Sequence, residues 1–126
     1  MNRILVLAGV AVVASFGAGC VDTLQIPPKP TPAEIVRDNA VSEMHRAFGK
    51  KDVKEGLTKF LEKLGDSTTS VQVREAWTEA FPSHERVYYR TISKSLADFY
   101  WPVMPVTDGR IYVEGFRAAA TQLLES

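Results

Sequence analysis

A capping signal at residues 31–34 marks the start of a first helix and constrains the fold of everything after it. Thr31 can accept a hydrogen bond as N-cap, Pro32 suits the first helical position, and Glu34 completes a capping box. Apolar residues then recur at helical spacing: Val36, Ala40, Met44, Ala47 and Phe48. Gly49 supplies a stop, so the segment predicts an amphipathic helix that must bury one face.

A second helix follows after a short turn. Asp52 and Glu55 repeat the capping signature, and Gly65 marks the end of the helix. Its apolar stripe is the clearest in the chain: Val53, Leu57, Phe60, Leu61 and Leu64. Because the turn is so short, the first two helices are predicted to pack as an antiparallel pair.

Two more helices are predicted between residues 70 and 101. The third has one apolar face and stops at Pro82, and the face consists of Val73, Ala76, Trp77, Ala80 and Phe81. Ser83 is the predicted cap of the fourth helix, which Trp101-Pro102 closes. The residues expected on its inner face are Tyr88, Ile92, Leu96 and Phe99.

The last segment completes an all-α prediction. Its apolar face suits a fifth helix: Tyr112, Phe116, Ala119, Ala120 and Leu123. Residues 110–113 are also compatible with a short strand, because they are β-branched and aromatic. The predicted fold is an all-α bundle of about five helices spanning residues 32–126.

The single cysteine and the balanced charge limit how this domain is held together and what it binds. Cys20 has no second cysteine with which to form an internal disulfide, so core packing alone must stabilise the fold. The chain carries 15 basic and 15 acidic residues. No large positive field is available to recruit nucleic acid, and no nucleic-acid partner is expected.

Residues 1–20 have the three parts of an export signal. Arg3 provides a basic start, residues 4–16 are apolar, and small residues lead to Cys20. The apolar run is too short and too rich in Gly and Ala for a spanning helix, which needs about 20 predominantly apolar residues. The segment predicts that the rest of the chain lies outside the cytoplasmic membrane.

The end of this segment resembles the signal of bacterial lipoproteins, in which small residues precede a cysteine that is lipidated and becomes the new N-terminus. Ala18-Gly19-Cys20 fits the last three positions of that pattern, whereas Gly17 stands where the family usually carries an aliphatic residue. The resemblance covers residues 1–20 and implies membrane attachment through lipid on Cys20. An unmodified thiol, cleavage by ordinary signal peptidase, and retention as an uncleaved anchor are the alternatives.

Residues 21–31 form the predicted tether. Pro27, Pro28 and Pro30 lack a backbone N–H and favour extended polyproline geometry. Such a segment would hold the helical domain a short distance from the bilayer. The alternative is that residues 26–30 are themselves a docking strand for a partner.

Catalytic and metal-binding motifs are not found in the sequence, and no cofactor is expected. His84-Glu85 lacks the second histidine of a zinc-binding H-E-x-x-H motif, because Tyr88 occupies that position. His45 is predicted to lie with Glu43 and Arg46 on the solvent side of the first helix.

Aromatic residues are dense at the end of the fourth helix, and one helical face cannot bury all of them. Tyr100, Trp101 and Met104 are therefore the candidate contacts for a protein partner, because interface centres favour aromatic residues and methionine. The alternative is that the loop at residues 103–106 folds back and covers the rings.

Two classes of function remain. The preferred interpretation is a membrane-anchored envelope lipoprotein that acts as an accessory interaction module for an envelope protein partner. The alternative is an envelope enzyme or small-ligand-binding protein whose site is assembled from scattered polar residues. A deep polar pocket with converging acids or a perturbed histidine would favour the alternative.

Overall fold

The computed structural model describes residues 29–99 and 109–126, and α-helices dominate these ranges. The helices are α1 (Pro32–Phe48), α2 (Lys54–Leu64), α3 (Ser70–Ala80), α4 (Glu85–Asp98) and α5 (Arg110–Glu125). The all-α prediction is confirmed, and residues 110–113 belong to α5 rather than to a strand. The predicted signal at residues 1–20, most of the tether, and Tyr100, Trp101 and Met104 lie outside the described residues.

The predicted helix caps are partly confirmed. The backbone N–H of Glu34 donates to Thr31 Oγ1, and the N–H of Thr31 donates to Glu34 Oε1, which is the expected capping box. The caps predicted at Asp52 and Ser83 are wrong, because the N-cap residues are Val53 and His84. Asp52 Oδ1 instead accepts from the N–H two residues on, at 3.1 Å, and so stabilises the turn before α2.

The helices alternate in direction, and α5 packs against α1, α2 and α3. Helices α2 and α3 form an antiparallel pair, in which Phe60 meets Trp77 with ring centroids 5.2 Å apart. The predicted α1–α2 pair is wrong, since α1 packs along α5 and α4 instead. Helix α4 also contacts α3, where the Tyr88 hydroxyl donates to the Ser70 carbonyl at 3.0 Å.

The close approach of α5 to α1 depends on a glycine. A Cβ atom added at Gly115 would lie 2.5 Å from Val36 Cβ and 3.0 Å from the Ala33 carbonyl oxygen. Neither atom is the free end of a flexible side chain, so the two helices would have to separate. Gly115 therefore permits the close packing of α5 on α1.

Gly115→Ala should therefore destabilise the domain by about 1–3 kcal/mol, the usual cost of overpacking a close contact. Urea unfolding followed by circular dichroism measures the change. Ala118→Gly, on the exposed side of the same helix, measures the propensity difference alone, about 1 kcal/mol in favour of Ala, which opposes the packing cost in Gly115→Ala. Unchanged or increased stability of Gly115→Ala would contradict the α1–α5 packing.

Candidate binding site between α1 and α4

A cleft of about 400 Å³ lies between the C-terminal half of α1 and the first turn of α4. Helix α1 contributes Glu43, Arg46 and Ala47, while residues 82–87 and Arg90 form the opposite wall. The lining combines charged groups with apolar surface. It brings together polar side chains that are distant in the sequence.

The cleft exists because α1 and α4 run antiparallel. Asn39 contacts the C-terminal end of α4, Glu43 contacts its middle, and the Phe48 ring lies beside His84 at its start. The Phe48 and His84 ring centroids are 5.0 Å apart. The Trp77 indole Nε1–H donates to the His84 carbonyl at 2.7 Å, which fixes the turn that precedes α4.

Glu43 is the central charged group of this interface, and only 2% of its surface is exposed. Arg90 Nε lies 2.9 Å from Glu43 Oε1, and Lys94 Nζ lies 2.6 Å from Oε2. The prediction that Glu43 faces solvent is wrong, whereas His45 and Arg46 are exposed as predicted. The sequence does indicate that Glu43 is buried, because Glu43 follows Val36 and Ala40 at the helical spacing of the buried face.

The pKa of Glu43 is set by two opposing effects. Burial raises it, but the hydrogen bonds and positive charges of Lys94 and Arg90 outweigh burial, so the pKa lies below its ordinary value of 4.5. The carboxylate is therefore ionised at neutral pH. The stabilisation provided by the ion pairs is present above pH 4.5 and is lost as the pH falls through the lowered pKa.

A line of polar side chains continues along α4 beyond Glu43. Asn39 Nδ2 donates to Ser95 Oγ and to Asp98 Oδ2, each at 3.2 Å. Thr91 and Ser95 are fully buried, whereas Leu96, expected on the inner face, is 43% exposed. The predicted inner face of α4 is thus confirmed at Tyr88 and Phe99, which are buried, and is wrong at Leu96. The buried face instead includes the hydroxyl residues Thr91 and Ser95, and Ser95 accepts a hydrogen bond from Asn39 of α1.

Thr91 gives a test of this polar interface. Its Oγ1 is buried and has no hydrogen-bond partner among the described residues, so the hydroxyl loses its contact with water without replacement. Thr91→Val, which keeps the shape, should raise the free energy of unfolding by about 1 kcal/mol. Ser95→Ala is the contrasting variant, because it removes a partner of Asn39 and should destabilise. A loss of stability in Thr91→Val, measured by urea unfolding, would show that the hydroxyl is bonded.

Two arginines that line the cleft form no polar contacts with the described residues through their guanidinium groups. Arg46 and Arg86 are exposed, and neither guanidinium has an ion-pair or hydrogen-bond partner within the described ranges. Glu85 lines the same cleft and is also exposed. These groups are available to a ligand, whereas Glu43 and the Nε of Arg90 are already paired.

Comparisons with protein-family models, curated proteins and solved structures find no match to this chain. Over residues 29–99 and 109–126, no helix has the length and apolar character needed to cross a membrane. In the same ranges, no three side chains of the metal-binding types converge. The contacts predicted at Cys20, Tyr100, Trp101 and Met104 fall on residues that the structure does not describe, and they stay predictions.

Proposed function

We propose that the chain is a bacterial envelope lipoprotein, attached through lipid on Cys20, whose helical domain binds a protein partner. The observation that carries this proposal is the order of its parts. A lipoprotein-like signal is followed by a proline-rich segment, and the helical domain begins at once with the Thr31 capping box. Anchor, spacer and folded module thus follow one another without intervening chain.

The location of the cleft supports an interaction role. Helix α1 starts beside the tether and has 17 residues, so its two ends are about 25 Å apart. The cleft lies at the end remote from the tether, where Arg46 and the first turn of α4 meet. In an anchored protein, this placement leaves the cleft accessible to a partner that approaches from the side away from the bilayer.

The charge state of Glu43 argues against acid–base catalysis in the cleft. A general acid must hold its proton near neutral pH, which requires a raised pKa, whereas the pKa of Glu43 is lowered. Both carboxylate oxygens already contact cations, so Glu43 is also a poor base. Its role in this proposal is to hold Arg90 and Lys94 in place.

Lipidation of Cys20 is tested by intact-mass measurement of protein extracted from membranes. The expected mature chain lacks residues 1–19 and carries acyl mass. Cys20→Ser should give an unprocessed precursor or release the domain from the membrane, because stable anchoring requires hydrophobic attachment. Cys20→Ala is expected to behave in the same way, since neither side chain has a thiol to which lipid could be attached.

A mature chain that starts at another residue and lacks acyl mass would contradict the lipoprotein proposal. An uncleaved N-terminus with the protein still in the membrane fraction would instead support the anchor alternative. Both results are independent of whether the helical domain binds a partner.

A further inference from the structure

Some of the charged groups at the α1–α4 cleft form ion pairs, and others have no partner among the described residues. Glu43 is neutralised by Arg90 and Lys94, which leaves a local excess of positive charge. Neither Arg46 nor Arg86 forms an ion pair with a carboxylate in the part of the chain that the structure describes. Besides Glu43, the one acidic residue in the described lining of the cleft is Glu85. An anionic ligand would therefore meet two uncommitted guanidinium groups in the same cleft.

Arg90 adds a third donor that is already positioned. Its Nε is bound to Glu43 Oε1, and this bond restricts the side chain without occupying its two Nη nitrogens. A guanidinium fixed through one nitrogen can present the remaining N–H groups to a carboxylate with little further loss of rotamer freedom. Arg90 lines the same cleft as Arg46 and Arg86, so the three guanidinium groups belong to one site.

The shape and lining of the cleft indicate what kind of anion fits. Its volume of about 400 Å³ is much larger than a single carboxylate group needs. Ala47 is partly exposed and Pro82 is exposed, and these two residues supply apolar surface beside the charged groups. The wall at His84 is held by the Trp77 hydrogen bond and the Phe48 ring, so this wall is formed before a ligand arrives.

We propose that this cleft docks an acidic peptide segment of the partner protein. Arg46, Arg86 and the Nη groups of Arg90 bind its carboxylates, and an apolar side chain of the same segment packs on Ala47 and Pro82. This inference rests on the interaction function proposed above and names the chemistry of the partner. The combination of three guanidinium groups with apolar surface favours a peptide over a simple inorganic ion.

The test uses the full chain in nonionic detergent and a short fluorescein-labelled peptide of alternating Glu and Leu. Fluorescence anisotropy should show saturable binding that weakens as salt is added. Arg46→Gln combined with Arg86→Gln should weaken binding by about tenfold or more, because two charge-assisted contacts are lost. The melting temperature should not change, since both side chains are exposed and unpaired.

The matched control combines Lys59→Gln with Arg74→Gln, two exposed basic residues on α2 and α3. This variant loses the same formal charge and should bind the peptide within about twofold of the native chain. If the double variant at Arg46 and Arg86 has a lowered melting temperature, peptide binding is compared between the native chain and each single variant. A peptide with Gln in place of Glu should bind at least about tenfold more weakly.

Four results would overturn the proposal: absence of binding, equal loss in the control variant, equal binding of the Gln peptide, or equally tight binding of free glutarate. The last would indicate a small-molecule site, and binding of anionic vesicles in place of the peptide would indicate a membrane-facing surface. Lipidation of Cys20 and membrane attachment are measured separately. Absence of peptide binding in a chain that is lipidated is therefore distinguishable from absence of lipidation itself.

Discussion

Replacing Arg90 and Lys94 together with Ala should destabilise the domain by about 3–5 kcal/mol, because Glu43 would keep a buried charge without a partner. The two removed side chains are about half exposed, so their own loss of packing is small by comparison. Urea unfolding at neutral pH measures the difference from the native chain. Glu43→Met is the control, since it removes the buried charge and leaves two cations that can turn to water.

The pH dependence identifies Glu43 as the cause. In the native chain its pKa is lowered, so the stabilisation is lost as the pH falls below 4.5. In the double variant burial acts alone and raises the pKa of Glu43. The free energy of unfolding of that variant is therefore lowered at neutral pH, and it recovers when acidification protonates Glu43. The deficit should therefore shrink between pH 7 and about pH 4. A deficit that is constant with pH, or an equal deficit in Glu43→Met, would contradict the buried-charge explanation.

Trp77→Ala is the second large expected effect, at about 3–5 kcal/mol, which is a large fraction of the stability that a small domain has. Trp77 is fully buried, and its ring lies among Phe48, Phe60, Phe81 and Phe116. Trp77→Phe keeps an aromatic ring but leaves the His84 carbonyl without its donor. It should cost about 1 kcal/mol from the lost hydrogen bond, in addition to a small packing loss.

Thermal unfolding followed by circular dichroism distinguishes these cases. Leu61→Ala is a useful control, because Leu61 is only partly buried and its truncation should cost less than that of Trp77. If Trp77→Ala melts close to the native chain, Trp77 is not the centre of the core. If Trp77→Phe is as destabilised as Trp77→Ala, the hydrogen bond to His84 contributes more than the ring packing.

The helices themselves were predictable from local signals. Apolar spacing and the Thr31 capping box depend on neighbouring residues, which is why helix number and the start of α1 agree with the structure. The partner of α1 was not predictable in this way. It depends on Gly115, whose missing side chain allows α5 to approach Val36, and a short turn after α1 carries no information about that contact.

The cleft was missed for a different physical reason. The spacing of apolar residues predicts that Glu43 is exposed to solvent and that Leu96 is buried. That prediction assumes that charged and hydroxyl side chains face water. Here a carboxylate and two hydroxyls are buried between helices. The partners Glu43 and Arg90 are 47 positions apart, so no local motif contains both.

The pairing of α1 with α5 also has a consequence for the order of folding. The first helix of the domain has its most extensive interface with α5, so this interface cannot form until the segment after residue 109 is available. Contacts between distant segments slow folding, because a long loop must close before its burial is gained. The contact of α5 with Val36 is thus one of the long-range contacts whose closure limits the rate at which the helical domain folds.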